Sequence, residues 1–144
     1  MARVLVVEDY PPLAKVIAIA IQREGHQVDR VGSVARALTV SGSFDLAVID
    51  LDLPDGVGTH LAEQLRGEGR LGPVIFFTSS SDPVLRGVAA SQGRLIEKES
   101  GIEELMVWVR RELRQRERMT RAVGTDVSVA HHQATRSATR KRVR

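Results

Sequence analysis

The sequence predicts an α/β protein with one doubly wound, five-stranded parallel sheet and five helices. Short apolar runs alternate five times with segments whose apolar residues recur every three or four positions. That order is typical of a parallel sheet with right-handed crossovers and helices on both faces. The runs consist mainly of consecutive Val, Ile and Leu, as in strands buried on both faces. Only five of the 144 residues are aromatic, which predicts an aliphatic core.

The first two strand and helix pairs follow from short runs and the residues that bound them. Arg3–Val7 is the first predicted strand. A helix over 11–24 follows, because Pro is tolerated in a first helical turn and Gly25 ends the periodic pattern. A second strand is predicted over Gln27–Val31. Ser33 is a candidate N-cap for a second helix that runs through residue 41.

The third strand is predicted over Phe44–Asp50, and it ends abruptly at a carboxylate. Asp52 stands two residues further on, and the turn residues Pro54-Asp55-Gly56 close the segment. A third helix is predicted over Val57–Arg66, with its leucines facing inward. In open α/β sheets ligands bind beyond the carboxyl ends of the strands, so Asp50 is the leading candidate for a reactive group.

The fourth strand is predicted over Val74–Phe77, and it ends at Thr78. Asp82 is a predicted N-cap with Pro at the next position, which starts a helix that reaches residue 92. A short fifth strand over Arg94–Glu97 ends at Lys98.

The last helix is predicted from a capping box and an apolar stripe. Ser100 and Glu103 have the capping-box spacing. The apolar residues then recur every three or four positions through Leu113, as they do on a helix that packs against a sheet.

Polar side chains follow four of the five predicted strands. In one parallel sheet these groups meet at the same edge, which predicts a shared site. Its carboxylates repel one another unless a cation lies between them, and a site with oxygen ligands alone suits Mg²⁺. With a carboxylate nucleophile, an ammonium group and a hydroxyl, the site is suited to phosphoryl transfer. Its members are Glu8, Asp9, Asp50, Thr78 and Lys98.

Each of these residues also has an ordinary structural interpretation. Asp50 could open the turn that follows it, and Glu8 and Asp9 could cap the first helix. Thr78 could cap a turn, and Lys98 could be a solvated lysine. Only the conjunction of all of them at the right strand ends favours the functional interpretation over the structural one.

Composition excludes several classes of protein. The chain has no cysteine, which excludes a disulfide scaffold and a thiolate metal site. The first apolar run, Val4–Val7, is too short for a signal peptide or a membrane span. The sequence therefore predicts a soluble, cytoplasmic protein with no membrane contact.

The net charge of +3 is unevenly distributed along the chain. Residues 1–118 carry 15 Lys or Arg against 17 Asp or Glu, whereas residues 119–144 carry 6 against 1. This division predicts a domain over 1–118 and a basic, disordered tail over 119–144. The last cluster, Arg140–Arg144, is either a solvated charged tail or a contact for nucleic acid or an acidic partner.

The residues at the strand ends make residues 3–118 resemble the response-regulator receiver domain of two-component signalling, which has a flavodoxin-like fold. Pro54 and Gly58 behind Asp50 add to the resemblance. It implies that Asp50 accepts a phosphoryl group, in the presence of Mg²⁺, from a phosphohistidine of a sensor kinase or phosphotransferase. Thr78 and Lys98 would bind the phosphoryl oxygens, and Thr78 would be the switch hydroxyl.

The resemblance also implies ligands and partners. Asp9 would bind the metal directly, Glu8 directly or through water, and Asp52 through its backbone carbonyl. No output domain is predicted after Arg118, so the chain resembles a stand-alone receiver that acts by binding partners, such as a downstream protein or a second copy, or by passing its phosphoryl group onward. Such a protein is a phospho-acceptor rather than a turnover enzyme, and whether it catalyses its own phosphorylation and dephosphorylation stays open.

Three departures from the family pattern concern how phosphorylation would be converted into a signal. Glu99 follows the lysine where the family usually has a cis proline, and a cis bond before a residue other than proline is costly. Leu95 stands where an aromatic switch residue is common. Asp52 is an acid beside the site of attack, where it could orient water or repel it.

Two other function classes stay open. The chain could be a degenerate receiver that acts as a scaffold for partners without phosphorylation. Asp50-Leu51-Asp52 also resembles the nucleophile motif of haloacid-dehalogenase-like phosphatases. That family places the motif on the first strand of its core, whereas here Glu8 and Asp9 precede it, so the phosphatase interpretation ranks last.

Overall fold

The computed structural model describes the backbone of residues 1–141 and the side chains of residues 1–122. The chain divides into two units, Met1–Leu113 and Arg114–Arg144.

The first unit contains the predicted parallel sheet. The strands are β1 (Arg3–Val7), β2 (Gln27–Val31), β3 (Leu46–Ile49), β4 (Asp52–Leu53), β5 (Gly56–Val57), β6 (Val74–Thr78) and β7 (Arg94–Glu97). The spatial order of the sheet is β2-β1-β3-β6-β7, and all neighbouring strands are parallel. A short antiparallel hairpin, formed by β4 and β5, follows β3 and was not predicted. The α/β fold class, with five parallel strands and a flavodoxin-like order, is confirmed.

The first four helices lie where the periodic segments predicted them, with shifts of one or two residues at several ends, and the fifth is longer than predicted. They are α1 (Pro11–Gln22), α2 (Val34–Thr39), α3 (Gly58–Gly67), α4 (Pro83–Gln92) and α5 (Gly101–Lys141), and a 3₁₀ turn over Lys98–Ser100 precedes α5. The third strand was predicted two residues too early, because Phe44 is joined to Leu71 only by an isolated parallel bridge.

Two of the three predicted N-caps are confirmed. The Ser33 hydroxyl accepts a hydrogen bond from the Arg36 amide at 3.1 Å. The carboxylate of Asp82 accepts hydrogen bonds from the first amides of α4 at 2.9 and 3.3 Å. Ser100 instead lies in the 3₁₀ turn, and Gly101, at φ +85°, connects that turn to α5. This backbone conformation suits glycine, and it allows the chain to turn sharply at that point.

The two faces of the sheet bury two separate apolar clusters. Along β1, Leu5 and Val7 face α2, α3 and α4, whereas Val4 and Val6 face α1 and α5. The alternation arises because successive strand side chains point to opposite faces. Burying one such aliphatic side chain stabilises the fold by roughly 1.5 to 3 kcal/mol.

The C-terminal helix is longer than the sequence analysis predicted. Disorder was predicted from residue 119 onward, but α5 continues to Lys141. Residues 114–122 are rich in Arg, Gln, Glu, Met and Ala and contain no Pro, and these residue types favour a helix. The side chains of the basic cluster Arg140–Arg144 lie outside the described residues. Within the described part of the chain, no helix is long and apolar enough to span a membrane.

Candidate functional site

The sheet register brings the predicted site residues together. Val7 of β1 is opposite Ile49 of β3, so the residues that follow them, Glu8 and Asp50, leave the sheet side by side. The Asp50 amide continues the ladder by donating to the Val7 carbonyl at 3.0 Å. On the other side of β3, Thr78 at the end of β6 pairs with the residue just before Lys98. The predicted convergence at one sheet edge is therefore found in the structure.

Asp50 lies at the centre of this group, and only 6% of its surface is exposed. One carboxylate oxygen, Oδ1, accepts a hydrogen bond from the Thr78 hydroxyl at 2.8 Å. The other, Oδ2, accepts from the Lys98 ammonium at 2.9 Å. A longer contact of 3.4 Å runs from the Asp52 amide to Oδ1. Both carboxylate oxygens thus have a donor, as a buried anion requires.

Lys98 bridges two buried carboxylates, because its Nζ also lies 2.7 Å from Oε1 of Glu8. Burial lowers the pKa of the Lys98 ammonium, but hydrogen bonds and charge attraction from Asp50 and Glu8 outweigh it. The pKa of Lys98 is therefore raised above its usual range. The group is protonated at neutral pH and places a fixed positive charge beside Asp50.

Glu8 is 3% exposed, and its second oxygen accepts a hydrogen bond from the Tyr10 amide at 3.1 Å. Burial raises the pKa of the Glu8 carboxyl, and the hydrogen bonds from Lys98 and Tyr10 oppose that rise without cancelling it. A cation beside Glu8 would favour its charged form.

Three carboxylates at this edge fit a divalent cation. Oxygens from Glu8, Asp9 and Asp50 all lie within 4.8 Å of one another. Glu8 and Asp50 are buried, whereas Asp9 is exposed, so the group opens to solvent. A set of oxygen ligands with room for water is what Mg²⁺ prefers. The exposed side chain of Asp52 is not part of this group, and the predicted contact through its backbone carbonyl stays a prediction.

Thr78 is fully buried, and its hydroxyl has two partners. It donates to Asp50, and its Oγ1 accepts a hydrogen bond from the Ser80 amide at 3.1 Å. The backbone of the loop after β6 therefore holds the hydroxyl toward the carboxylate.

Gly58, at the start of α3, lies directly against the backbone of Asp50. A Cβ atom at this position would be 2.2 Å from the Asp50 carbonyl oxygen and 2.9 Å from Cγ2 of Ile49. The Gly58 amide in turn donates to the Leu51 carbonyl at 2.9 Å. This close approach requires glycine, and it packs the start of α3 against the end of β3.

The family follows from comparison with known proteins. Residues 4–110 match the model of the response regulator receiver domain. The chain belongs to this receiver family. Members of the family serve in two-component signalling, bind Mg²⁺ at an acidic pocket, and interact with histidine kinases or phosphotransferases and with downstream partners.

Several curated relatives are longer than this chain. The receiver is 31% identical over 119 residues to the response regulator ArlR of Staphylococcus saprophyticus, which covers 80% of this chain and 54% of the relative. It is 30% identical over 142 residues to the DNA-binding response regulator MtrA of Mycolicibacterium smegmatis, which covers 93% of this chain and 62% of that protein. The chain thus spans about half to three fifths of the length of these two relatives.

Solved structures of other receivers share the fold. The BeF3-activated receiver domain of DrrB superposes with a TM-score of 0.70 at 27% identity, over 79% of this chain and 98% of that one. The response regulator TrrA of Thermotoga maritima in complex with Mg²⁺ and BeF gives 0.66 at 26% identity, over 78% and 100%. A CheY-like receiver from Methanospirillum hungatei gives 0.74 at 22% identity, over 83% and 98%, and this match shows the fold alone.

The receiver also has contacts that sequence reasoning missed. The Asp55 carboxylate accepts hydrogen bonds from the first two amides of α2 at 2.8 and 2.9 Å. Arg86 of α4 forms an ion pair with Glu97 and donates to the Ser80 carbonyl. An acid in a Pro-Asp-Gly turn is a weak signal for the first contact. No local pattern signals the second, because its three members come from different elements.

Two of the departures from the family pattern, Leu95 and Glu99, lie at or just after the fifth strand of the parallel sheet, β7. The Lys98–Glu99 peptide is trans, and both residues lie in the 3₁₀ turn before α5. Leu95 is half-buried and packs against the cluster beneath α2, α3 and α4.

Proposed function

We propose that this receiver accepts a phosphoryl group on Asp50 from a phosphohistidine of a sensor histidine kinase or a histidine phosphotransferase. The observation that carries the proposal is the placement of Asp50. It is a buried carboxylate at a strand end, with a hydroxyl on one oxygen and an ammonium on the other. It also shares the acidic group that suits Mg²⁺.

In the transfer, one carboxylate oxygen of Asp50 forms a bond to phosphorus while the bond between phosphorus and the donor imidazole nitrogen breaks. The imidazole nitrogen takes the bonding electron pair. Because the other ring nitrogen carries a proton, the donor departs as a neutral imidazole. Glu8, Asp9 and Asp50 would hold Mg²⁺, with the Asp52 carbonyl as a further contact. The bound ion would neutralise charge on the phosphoryl oxygens.

The chain's own residues contribute position and charge. The Lys98 ammonium lies 2.9 Å from Asp50, where it offsets the negative charge that the phosphoryl group adds. The Thr78 hydroxyl can turn from the carboxylate to a phosphoryl oxygen, since the Ser80 amide already holds its oxygen in place. Both groups are therefore in position before the donor arrives, which lowers the cost of reorganisation.

The test is the mass of the intact protein after incubation with Mg²⁺ and a small phosphodonor such as acetyl phosphate. The proposal predicts a gain of one phosphoryl group in the wild type and in Asp52→Asn, and no gain in Asp50→Asn. Asp52 is the matched control because it is an acid only two residues away. A gain that persists in Asp50→Asn would contradict the assignment.

Leu95 is the reason to test a second function. It stands where the family often has an aromatic residue that couples the switch hydroxyl, here Thr78, to the protein surface. The chain could be a degenerate receiver that scaffolds partners without phosphorylation. A folded protein that binds Mg²⁺ but gains no phosphoryl group would favour this scaffold.

The output is part of the same proposal. In the cytoplasm, phosphorylation of the receiver would change its binding to a downstream protein or to a second copy. It would be a phospho-acceptor rather than a turnover enzyme, with its receiver function in 1–118 and a separate basic segment in 119–144.

A further inference from the structure

Arg86 of α4 contacts both chain segments that supply the phosphoryl-binding groups. One guanidinium nitrogen, Nη1, donates to the Ser80 carbonyl at 3.0 Å. The other, Nη2, forms an ion pair with the Glu97 carboxylate. Ser80 is two residues after Thr78, and Glu97 is the residue directly before Lys98.

These contacts close a ring around Asp50. The Ser80 amide holds the Thr78 hydroxyl, and that hydroxyl donates to one oxygen of Asp50. On the other side, Lys98 donates to the second oxygen of Asp50. Arg86 joins the two sides, since it holds Ser80 on one and the neighbour of Lys98 on the other.

A guanidinium is suited to this task. It is planar and always charged, and its donors point in fixed directions, so two acceptors held by one guanidinium are held at a fixed separation. Leu95, on the same strand as Glu97, is apolar and half-buried and offers no polar group that could take over this role.

We propose that Arg86 is a positioning residue for phosphoryl transfer, because it fixes the distance between the Thr78 hydroxyl and the Lys98 ammonium on either side of Asp50. The proposal rests on the proposed function of Asp50 as acceptor. It gives α4 a polar connection to the site, through Ser80 and Glu97, that does not need an aromatic side chain.

If Arg86 and Glu97 formed only a surface ion pair, removing Arg86 would leave both the stability of the protein and the geometry of the site unchanged. The side chains of Arg86 and Glu97 are 30% and 45% exposed, and pairs of that kind contribute little to stability. Loss of Arg86 should therefore leave the melting temperature almost unchanged and act on the site instead. The matched control is Arg110→Ala, which removes the exposed pair of Arg110 with Glu24, between α5 and the end of α1.

The first measurement needs no phosphorylation. Amide resonances of ¹⁵N-labelled full-length protein are compared between wild type, Arg86→Ala and Arg110→Ala. The proposal predicts that Arg86→Ala shifts the resonances of Asp50, Thr78 and Lys98, while Arg110→Ala leaves them in place. Shifts confined to α4 and Glu97 would overturn it.

The second measurement is the rate of phosphoryl uptake from acetyl phosphate. We expect Arg86→Ala to slow uptake at least roughly threefold, since small errors in the position of catalytic groups are costly. Its affinity for Mg²⁺ should stay at the wild-type value, because Arg86 contacts none of the three carboxylates. Arg86→Lys keeps the positive charge but loses the planar guanidinium that can hold two acceptors at once, so it should recover only part of the rate.

The outcomes separate the two proposals. Equal rates in wild type and Arg86→Ala, with equal Mg²⁺ affinity, would overturn the role of Arg86 and leave Asp50 as acceptor. A wild type that gains no phosphoryl group would remove the proposed function, and the resonance shifts would then decide alone whether Arg86 positions Thr78 and Lys98.

Discussion

Asp50 shows how a few side chains can make a buried acid useful. A carboxylate with so little exposure, next to the equally buried Glu8, would be costly to ionise without a partner. Lys98 contacts both carboxylates and, with its raised pKa, stays charged. The same ammonium that stabilises the pair lies where an added phosphoryl group would need positive charge. We therefore expect both the stability of the pair and the proposed phosphoryl transfer to depend on Lys98.

Gly58 gives a prediction at the scale of a single atom. In Gly58→Ala the added Cβ would lie 2.2 Å from the Asp50 carbonyl oxygen, so the end of β3 or the start of α3 has to move. We expect a loss of about 1 to 3 kcal/mol in the free energy of unfolding, as for other overpacked sites. Phosphoryl uptake should fall as well, because Asp50 shifts. Urea unfolding and intact mass measure the two effects.

The control for this substitution lies on the same helix. A Cβ atom added at Gly67, the last residue of α3, would meet no other atom within 4 Å. Gly67→Ala should therefore be neutral or stabilise the protein by about 0.5 to 1 kcal/mol. If Gly58→Ala were as stable and as active as Gly67→Ala, the close contact with Asp50 would have no role.

Among the elements, the hairpin of β4 and β5 is tied to the start of α2. The Asp55 carboxylate accepts hydrogen bonds from the amides of Val34 and Ala35. These amides have no partner within the helix, and an anion at a helix N-terminus is favourable. The contact anchors the chain between Asp50 and α3, so it supports the site from outside.

The Asp55 contact predicts a pH dependence. Hydrogen bonds from the Ala35 and Val34 amides hold the pKa of the Asp55 carboxyl below its usual value of 3.8. Its contribution to stability is therefore present above the unfolded pKa and is lost as the pH falls through the lower folded pKa. Asp55→Ala should lower the melting temperature at neutral pH, and the difference from wild type should shrink as the pH falls below the usual aspartate pKa of 3.8.

Thermal unfolding followed by circular dichroism at several pH values measures this effect. Asp55→Asn keeps one acceptor but cannot ionise, so it should fall between wild type and Asp55→Ala at neutral pH. A difference that stays constant from neutral to acid pH would show that the charge of Asp55 does not stabilise α2.

The sheet and the site could be predicted from the sequence because they depend on local signals. The three central strands, β1, β3 and β6, are short apolar runs, and Glu8, Asp50 and Thr78 stand where those runs stop. Contacts such as Arg86 with Glu97 depend on how α4 lies against β7, which no local pattern encodes. The length of α5 was underestimated because residues 119–144 contain too few apolar side chains to form a packed core, which predicted disorder. Helix-forming residue types can also extend a helix without one.

At the scale of the whole molecule, charge is separated along the chain. Residues 119–144 carry 6 Lys or Arg against 1 Asp or Glu, while residues 1–118 carry a slight negative balance. If the basic segment contacts nucleic acid, the affinity should fall steeply with salt, because each neutralised phosphate releases counterions. Titration of a labelled DNA duplex at several salt concentrations measures this slope.

A chain that ends after Arg118 is the comparison for this binding, and its melting curve checks that it is folded. The hypothesis of a nucleic-acid contact predicts that binding disappears in the shorter chain. Binding that survives the truncation, or that does not change with salt, would place the contact elsewhere or show that it is not electrostatic.

We expect a single phosphoryl acceptor, Asp50, at the edge where the strand ends converge. The most direct measurement traps the acyl phosphate by hydride reduction after incubation with Mg²⁺ and acetyl phosphate, and then locates the reduced residue by peptide mass spectrometry. We expect reduction at Asp50 and at no other carboxylate, and none when Mg²⁺ is removed by a chelator. Reduction at Asp52, Asp9 or Glu8 with Asp50 unmodified would contradict it.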